Sequence, residues 1–465
     1  MDISLEQGKR LTMSRPLGID LFAGAGGLSL GFEQAGFDVV AAVEIDPIHA
    51  AVHEFNFPHC AVIPQSVEHL TGSQIRSAAG IGKRKIDVVF GGAPCQGFSL
   101  IGQRALDDPR NALVRHFVRL VRELDAETFV FENVKGITVG KHAQFLQELI
   151  DEFSSIGYEI RLPWRILNAA HFGAPQHRER LILMGCKRGR NLPTYPEPMF
   201  RPAGSRADLP TLPEGPSCYD ALEDIPDAEQ FPELNSSDSV RVKWGKASAY
   251  ARPLRGLIRA DWDFSYKRQF NPGLLTSSMR TDHTEISRRR FKATGEGEVE
   301  PISRFFKLPS SGVSNTLRAG TDSARGAFTS PRPVHYKYAR CVTVREMARL
   351  HGFPDWFRLH QTKWHGARQI GNAVPPPLAR AVAAQVMTAL GVQPVVPDEE
   401  MELGNSGLLR MDMGQAANHF GVPVVIGKRD KKGAPKRKQW DERTTVRVPA
   451  EQLVLYPFDA GTELV

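Results

Sequence analysis

The sequence predicts an α/β fold whose core is a doubly wound, mostly parallel sheet. From Pro16 to about Lys187, short apolar runs rich in β-branched residues alternate with helical segments, which is typical of such sheets. A glycine-rich turn follows the first apolar run, and polar residues follow several later ones. In open α/β sheets, ligands bind at the edge formed by the carboxyl ends of the strands. The pattern therefore predicts the position of a site as well as the fold.

Strands and helices can be assigned in chain order from this alternation. The predicted strands span residues 17–22, 38–45, 60–64, 86–91, 128–133, 159–167 and 180–186. The predicted helices span residues 27–36, 47–56, 111–123 and 142–155. Because the helices fall between strands, they are expected to serve as the crossovers of a doubly wound sheet.

The pattern changes near Asn191 and does not return until about residue 340. Prolines cluster between Pro193 and Pro216, and hydrophobic periodicity is weak over the whole interval. A stretch of this kind predicts either an inserted domain of irregular structure or a set of long functional loops.

Regular structure returns after this insert. Thr343 and Glu346 have the spacing of a capping box for a helix that Gly352 would end. A second, alanine-rich helix is predicted over residues 378–390, and the prolines before it are compatible with a first helical turn. The tail then carries a basic run at residues 428–438, which predicts a solvated linker or a weak DNA contact.

Composition limits the class of protein. A chain of 465 residues with 41% hydrophobic content can form more than one domain. The cysteines are odd in number and never paired as C-x-x-C, which argues against a disulfide framework and against a metal site. No signal peptide and no membrane-length apolar stretch is evident, so a soluble intracellular protein is expected. The cysteines are Cys60, Cys95, Cys186, Cys218 and Cys341.

The charge distribution favours a polyanionic partner. The net charge is +7, and basic residues concentrate between Arg252 and Lys292. Aromatic residues between Trp244 and Phe270 are interleaved with them. Arginines pair with phosphates and aromatic rings stack on bases, so this mixture predicts nucleic-acid contact. For any single residue, a solvated basic surface is the simpler interpretation.

The turn after the first strand, from Asp20 to Ser29, is rich in glycine. Gly24, Gly26 and Gly27 lie in it, and such turns bind nucleotide-like cofactors. The dinucleotide pattern G-x-G-x-x-G is broken, because a serine replaces its third glycine. Glu44 ends the second strand and is suited to accept hydrogen bonds from two ribose hydroxyls. NAD and S-adenosylmethionine both fit, and so does a purely structural turn beside a surface acid.

Cys95 lies on the loop that follows the strand at 86–91. Gly92 permits close approach of another molecule, and Pro94 fixes the backbone directly before the thiol. A thiol held on an exposed loop suits a nucleophile. The alternative is a small buried hydrophobic residue, which is the commonest state of a free cysteine.

Glu132 and two arginines complete the set of candidate catalytic residues. Glu132 ends the fifth strand and is expected to face the loop that holds Cys95. Arg178 and Arg180 lie on one side of an extended segment before the last strand. Each alone is an ordinary charged residue near a strand end, but their succession at neighbouring strand ends rarely arises by chance.

The order of these motifs resembles that of bacterial-type DNA (cytosine-5-)-methyltransferases. The resemblance covers residues 16–190 and 340–390, and its most specific parts are Pro94-Cys95-Gln96 and Glu132-Asn133-Val134. The other matching segments are Asp20–Gly27, Gln176–Arg180, Arg345–Pro354 and Gly371–Pro375.

The resemblance implies a Rossmann-like, S-adenosylmethionine-dependent methyltransferase domain with an inserted, mostly irregular target-recognition domain. The segment Ser314–Gly320 is similar to a Thr-Leu element common in that insert. Four parts follow: a polar N-terminal lead at 1–15, a catalytic domain at 16–190 plus 340–390, the target-recognition domain at 191–339, and an extension of unknown role at 391–465.

The family's mechanism, carried onto this sequence, gives each candidate a role. The Cys95 thiolate would add to C6 of a cytosine flipped out of the duplex, while Glu132 holds or protonates N3. Arg180, supported by Arg178, would bind O2. No metal is implied. The implied cofactor residues are Phe22, Gly24, Gly26, Gly27, Leu28, Glu44, Pro94, Leu113 and Asn372.

Two departures from the family pattern are evident. The family often has an aspartate near the end of the third strand that contacts adenine, whereas this chain has Gln65 and Ser66 there. His177 also replaces a basic residue of the arginine motif. Neither change affects the proposed nucleophile, but the adenine contact would pass to another group.

The expected partner is double-stranded DNA. The enzyme is expected either to accompany a restriction endonuclease that acts separately or to be an orphan methylase. A monomer in the bacterial cytoplasm is expected, bound to the nucleoid through DNA. Three alternatives stay open: a tRNA cytosine-5 methyltransferase, a nicotinamide oxidoreductase built on the glycine turn, and a non-enzymatic DNA-binding relative. The recognition sequence cannot be read from the insert, because it lacks a recognisable groove-binding motif.

Overall fold

The structure is a computed structural model that describes residues 15–94, 111–138, 141–205, 211–321 and 330–424. The predicted nucleophile Cys95 and the basic run at 428–438 lie outside these residues. Within them, no helix has the length and apolar composition needed to cross a bilayer.

An eight-stranded sheet forms the centre of the fold. Its strands are β1 (Leu17–Leu21), β2 (Asp38–Val43), β3 (Ala61–Ile63), β4 (Val88–Gly91), β5 (Thr128–Val134), β6 (Tyr158–Ile160), β7 (Arg165–Asn168) and β8 (Glu179–Lys187). The strand order is β3-β2-β1-β4-β5-β8-β6, and β7 also pairs with β8. Strands β1 to β5 are parallel, whereas β8 is antiparallel to each of its partners.

The strand order reverses between β1 and β4, which confirms the doubly wound prediction. Chain connections leave such a switch point in opposite directions and open a crevice at the carboxyl ends of the two strands. The glycine turn follows β1 and the loop that leads to Cys95 follows β4, so both begin at this crevice.

Helices cover both faces of the sheet. The helices of this region are α1 (Gly27–Gln34), α2 (Pro47–Asn56), α3 (Gly72–Ala78), α4 (Ala112–Glu123) and α5 (Lys141–Ser155). Helix α3 was not predicted, although Thr71 and Gln74 form a capping box at its start. It is short and largely exposed, so it has little of the apolar periodicity on which the prediction relied.

The insert contains short elements separated by irregular chain. They are α6 (Cys218–Leu222), β9 (Val240–Arg241), α7 (Ala251–Leu254), β10 (Lys267–Arg268), β11 (Leu274–Leu275) and α8 (Glu285–Ala293). The elements after it are α9 (Val344–His351), α10 (Lys363–Asn372), α11 (Pro376–Leu390), β12 (Glu400–Met401) and α12 (Met413–Phe420).

The two helices predicted after the insert are confirmed. The Thr343 capping box opens α9, and Gly352 ends it in the left-handed conformation. Helix α11 begins with Pro376 and Pro377 in its first turn and packs against α1.

One predicted strand was wrong as a single element. Residues 159–167 form two strands, β6 and β7, which pair with different parts of β8. The chain between them contains Pro163, and a proline cannot donate a hydrogen bond to a neighbouring strand. The stretch was predicted as one strand because it is apolar, although its hydrogen bonding to β8 is interrupted.

Several basic residues of the insert are part of its packing. Arg288 is held by the Glu229 carboxylate at 2.6 Å, and the Arg255 guanidinium lies 4.7 Å from the centre of the Trp244 ring. The predicted nucleic-acid surface is therefore smaller than the count of arginines implies, because a paired guanidinium is less available to a phosphate.

The stretch after α11 packs back on the rest of the fold. Strand β12 pairs in parallel with β10 of the insert, and α12 packs against α2. At the same junction, both terminal nitrogens of Arg268 bond the Glu33 carboxylate of α1 at 2.8 Å, and Trp356 covers the guanidinium at 4.7 Å. Both charged groups are buried from solvent. The insert is therefore joined to α1 of the sheet domain by a buried ion pair.

Replacing Arg268 by methionine is expected to lower the free energy of unfolding by about 3–5 kcal/mol, because Glu33 would stay buried without its counter-charge. The neighbouring Lys267→Met, at an exposed ion pair with Glu400, should change it by less than about 0.5 kcal/mol. Urea unfolding followed by circular dichroism measures both. The double variant Arg268→Met/Glu33→Leu should recover most of the loss, and equal stability of the two single variants would contradict the role of the pair.

Candidate active site

The glycine turn after β1 is held in a strained conformation by Glu44. Phe22 has φ +66°, and Gly24 and Gly26 also have positive φ, so the chain reverses within a few residues. The Glu44 carboxylate, at the end of β2, accepts hydrogen bonds from the amides of Gly24 and Asp46, each over 2.8 Å. Burial raises the pKa of Glu44. The acid predicted as a ribose acceptor therefore also fixes the turn.

The turn is packed on one side and open on the other. A Cβ at Gly26 would lie 2.4 Å from the Phe57 ring, and a Cβ at Gly27 would lie 2.5 Å from the Val374 carbonyl oxygen. A Cβ at Gly24 would have no heavy atom within 4 Å. Space for a ligand therefore lies beside Gly24, while the other two glycines bring α2 and the segment after α10 close to the turn.

A buried polar network beneath the turn was missed by sequence reasoning. The Ser29 hydroxyl donates to Oδ2 of Asp20 over 2.6 Å, and its oxygen lies 3.0 Å from Nε2 of His53. Burial raises the pKa of Asp20 to about 8 and lowers the pKa of His53 to about 3. The network joins β1, α1 and α2. The serine that breaks the dinucleotide pattern was the available signal.

The loop after β4 is fixed to the end of β5. The side-chain amide of Asn133 donates to the Ala93 carbonyl over 2.9 Å. A Cβ at Gly92 would lie 2.4 Å from Oε2 of Glu132, so only glycine permits this approach. Glu132 therefore faces the loop that leads to Cys95, as predicted, and Asn133 is a positioning residue that was not predicted.

Glu132 forms an ion pair with Arg180 on the neighbouring strand. Nε of Arg180 lies 2.6 Å from Oε1 of Glu132, and both side chains are largely buried. Burial raises the pKa of Glu132, and the charges of Arg180 and Arg178 oppose that rise. A carboxyl group in this state can hold a proton more readily than an exposed glutamate, which suits proton sharing with a ring nitrogen.

Arg178 is buried in the interior, whereas Arg180 is partly exposed. Its two terminal nitrogens donate to the carbonyls of Leu317 and Gly371 over 2.9 and 2.7 Å. The side chain is almost completely buried, and burial lowers its pKa. It joins the start of β8 to the Thr-Leu segment and to the last turn of α10.

Gln176 and His351 add a second buried link among the same three segments. The Gln176 amide donates to Nδ1 of His351 over 2.8 Å, and its oxygen accepts from the Leu317 amide over 3.0 Å. Nε2 of His351 lies 3.1 Å from the Ala373 carbonyl and therefore carries the ring proton. Burial lowers the pKa of His351 well below its usual value, so the ring is neutral.

The other predicted cofactor residues occupy varied environments. Asn372 is exposed at the end of α10, Pro94 is exposed after β4, Leu113 is half-buried in the first turn of α4, and Leu28 is buried in α1. Ile45, directly after Glu44, was not predicted, yet 52% of it is exposed. An exposed isoleucine beside a buried acid was a usable signal for an apolar ligand surface.

Both departures from the family pattern can be located. Ser66 caps the 3-10 turn that follows β3 by accepting from the Glu68 amide, while Gln65 is exposed. His177 lies 3.1 Å from the Asn168 amide, and its backbone amide donates to the Ser314 carbonyl over 2.7 Å. The backbone of His177 thus helps to hold the Thr-Leu segment.

Comparison with known proteins identifies the family. A family model for C-5 cytosine-specific DNA methylases matches residues 18–388, which is most of the chain. The chain belongs to this family. These methylases use S-adenosylmethionine as the methyl donor, and the open space at Gly24 beside the Glu44 carboxylate fits an adenosine-containing molecule. The oxidoreductase alternative is thereby excluded.

Individual relatives agree with this assignment. The chain is 58% identical over 437 residues to the type II methyltransferase M.XorII of Xanthomonas oryzae pv. oryzae, covering 93% of this chain and all of that one. It is 32% identical to M1.HphI of Haemophilus parahaemolyticus, covering 79% and 86%. A crystal structure described as a DNA modification methyltransferase of an E. coli prophage gives a TM-score of 0.64 at 32% identity, covering 81% and 99%.

The Asp20 network predicts a pH dependence of stability. Because the folded pKa of Asp20 is about 8, its contribution to stability is complete below about pH 4 and is lost as pH rises through 8. Relative to Asp20→Asn, the native protein should lose about 1.4 kcal/mol of unfolding free energy per pH unit between pH 5 and 7. Urea unfolding at several pH values measures this. Asp151→Asn, at an exposed position of α5, is the control. Parallel profiles for Asp20→Asn and the native chain would contradict it.

Proposed function

We propose that this DNA (cytosine-5-)-methyltransferase is the modification enzyme of a type II restriction–modification system, and that Cys95, Glu132 and Arg180 carry its chemistry. The observation that carries the site assignment is the Glu132–Arg180 ion pair at 2.6 Å, against the backbone of Gly92. The system assignment is supported by the match to M.XorII. That protein is a type II methyltransferase, and the match covers its whole length.

Each of these residues acts on a different edge of the same cytosine. The Cys95 thiolate adds to C6, which places electron density on C5. Glu132 holds N3 and shares a proton with it, and Arg180 binds O2, so both stabilise the charge that the addition creates. Bound S-adenosylmethionine would supply the electrophilic methyl group to C5, after which loss of the C5 proton to a base re-forms the C5–C6 double bond and releases the Cys95 thiolate. The target base must leave the duplex for these contacts to form, at a cost of a few kcal/mol.

The cofactor residues are assigned different roles in holding S-adenosylmethionine. Glu44 accepts hydrogen bonds from the ribose hydroxyls. Phe22, Ile45 and Leu113 provide apolar surface for the adenine and the methionine chain. Asn372 and Pro94 close the site from the segments after α10 and β4. The remaining residues shape the turn itself, and they are Gly24, Gly26, Gly27 and Leu28. Gln65, being exposed near β3, is assigned the polar contact to the adenine edge.

Arg178 is assigned a positioning role. Its buried guanidinium donates hydrogen bonds to the carbonyls of Leu317 and Gly371. It therefore supports the site by fixing the Thr-Leu segment and the end of α10 relative to β8. Direct contact with the cytosine is left to Arg180.

The domain division predicted from the sequence is retained as part of the proposal. Residues 16–190 and 340–390 carry catalysis and cofactor binding, and residues 191–339 carry target recognition. Residues 391–424 of the extension brace the insert against α2. The enzyme is proposed to act as a monomer on duplex DNA in the bacterial cytoplasm, with any endonuclease acting separately.

Bisulfite sequencing of DNA from a host that expresses the chain tests the activity and gives the site. Protection from conversion at one cytosine within a single recurring duplex sequence is expected. A parallel incubation with labelled S-adenosylmethionine, duplex DNA and tRNA separates the remaining alternatives. Label in tRNA alone would contradict the proposal, as would absence of label in both.

Two substitutions test the catalytic roles separately. Cys95→Ser should abolish methyl transfer to DNA, because a hydroxyl cannot replace the thiolate as nucleophile. Glu132→Gln should lower kcat by about 10²–10⁴-fold, since an amide keeps the size of the side chain but cannot share the proton. Cofactor affinity, measured by calorimetry, should change by less than about twofold in both. Near-native transfer by Cys95→Ser would overturn the covalent mechanism.

A further inference from the structure

The insert carries a tight hairpin that runs from Gly297 to Lys307. The Gly297 amide donates to the Lys307 carbonyl over 2.9 Å, and Val299 forms an antiparallel bridge with Phe306. The Lys307 ammonium donates to two carbonyls near the end of α8, at 3.1 and 2.8 Å. The base is therefore anchored, and residues 301–304 form a defined end, here called the tip turn.

The tip turn is fixed by a buried carboxylate. Glu300 is only 1% exposed, and its side chain accepts hydrogen bonds from the Ile302 amide over 3.2 Å and from the Ser303 amide and hydroxyl. The Arg304 amide donates to the Glu300 carbonyl over 2.9 Å, and Arg304 has φ +61°. A left-handed backbone at a non-glycine residue is costly, and such strain clusters where side chains are aimed at ligands.

The side chains of this rigid turn have no evident role in the fold. Ile302 is 69% exposed, and Arg304 is exposed with no ion-pair or hydrogen-bond partner for its guanidinium among the described residues. Arg255, Arg268 and Arg288 of the same insert are, by contrast, held by carboxylates. An exposed isoleucine and a free guanidinium on a preorganised turn are suited to a partner with both apolar and acceptor groups.

The hairpin is connected directly to the catalytic edge. The chain that leaves it runs to Ser314, whose backbone pairs with Gln176 in a parallel bridge. The Thr316 hydroxyl then donates to the His177 carbonyl over 2.7 Å. Gln176 and His177 lie directly before β8, the strand whose second residue is Arg180. Substrate bound against Arg180 would therefore be adjacent to the insert segment that follows the hairpin.

We propose that the tip turn enters the major groove of the substrate and that Arg304 reads one guanine of the recognition sequence. The planar fork of arginine matches the O6 and N7 acceptors of guanine in a bidentate pair, and an exposed aliphatic side chain can contact the apolar edge of a neighbouring base. Ile302 supplies that contact, and Glu300 fixes the backbone that carries both side chains. The inference rests on the proposed function and assigns one specificity residue to it.

The experiment measures kcat/KM for methylation of duplexes in which each base pair of the bisulfite-determined site is varied singly. The variants of the full chain are Arg304→Asn, which tolerates the left-handed backbone, and Arg304→Lys, which keeps the charge but loses the fork. The matched control is Arg84→Asn, an exposed arginine before the amino end of β4, on the opposite edge of the sheet. Cofactor affinity of every variant is measured by calorimetry.

Arg304→Asn is expected to lose about 5- to 150-fold of the discrimination at one G·C pair and to keep discrimination at the other positions. Arg304→Lys should lose discrimination at the same pair, and Arg84→Asn should match the native chain.

Two outcomes would overturn the inference: unchanged discrimination, or a uniform loss of kcat/KM on all duplexes. If only this inference fails, the native chain still methylates its duplex. If the proposed function fails, the native chain does not methylate DNA at all.

Discussion

Two buried polar side chains, Gln176 and Arg178, hold three distant stretches of chain together, and the active site depends on them. Through Leu317, Gly371 and His351 they fix the Thr-Leu segment of the insert, the end of α10 and the end of α9 to the start of β8. Removing any one of these groups would leave buried carbonyls or amides without partners, which costs more than the bonds themselves contribute. The proposed cofactor-binding and target-recognition parts of the protein are thus joined through the strand that carries Arg180.

Buried polar residues also fix the backbone on the other side of the crevice. Glu44 is suited to bind a ligand, yet it also secures the strained glycine turn, and Asp20, Ser29 and His53 brace that turn from below. Glu132 faces a glycine because any larger residue would collide with its carboxylate. Glu44, which is proposed to bind the cofactor, therefore also stabilises the turn beside it.

Sequence reasoning predicted the sheet, its winding and the strand-end positions of Glu44 and Glu132, because short apolar runs and glycine turns are local signals. It could not predict that Arg178 and Arg180, two residues apart, would differ in environment, since burial of Arg178 depends on Leu317 and Gly371 far along the chain. The break at Pro163 and the short exposed helix α3 were missed for the opposite reason. Their local signals were weak or were masked by neighbouring apolar residues.

The pairing of β10 with β12 bears on how target specificity can be exchanged between relatives. A chimera that replaced only residues 191–339 would import a foreign residue at position 268, opposite the recipient's Glu33, and would leave β12 without its neighbour. Recombination that changes specificity without loss of folding must therefore either preserve Arg268 and its strand or transfer residues 391–424 in the same event. The segment that must be inherited with the proposed target-recognition domain therefore extends past α11 to β12.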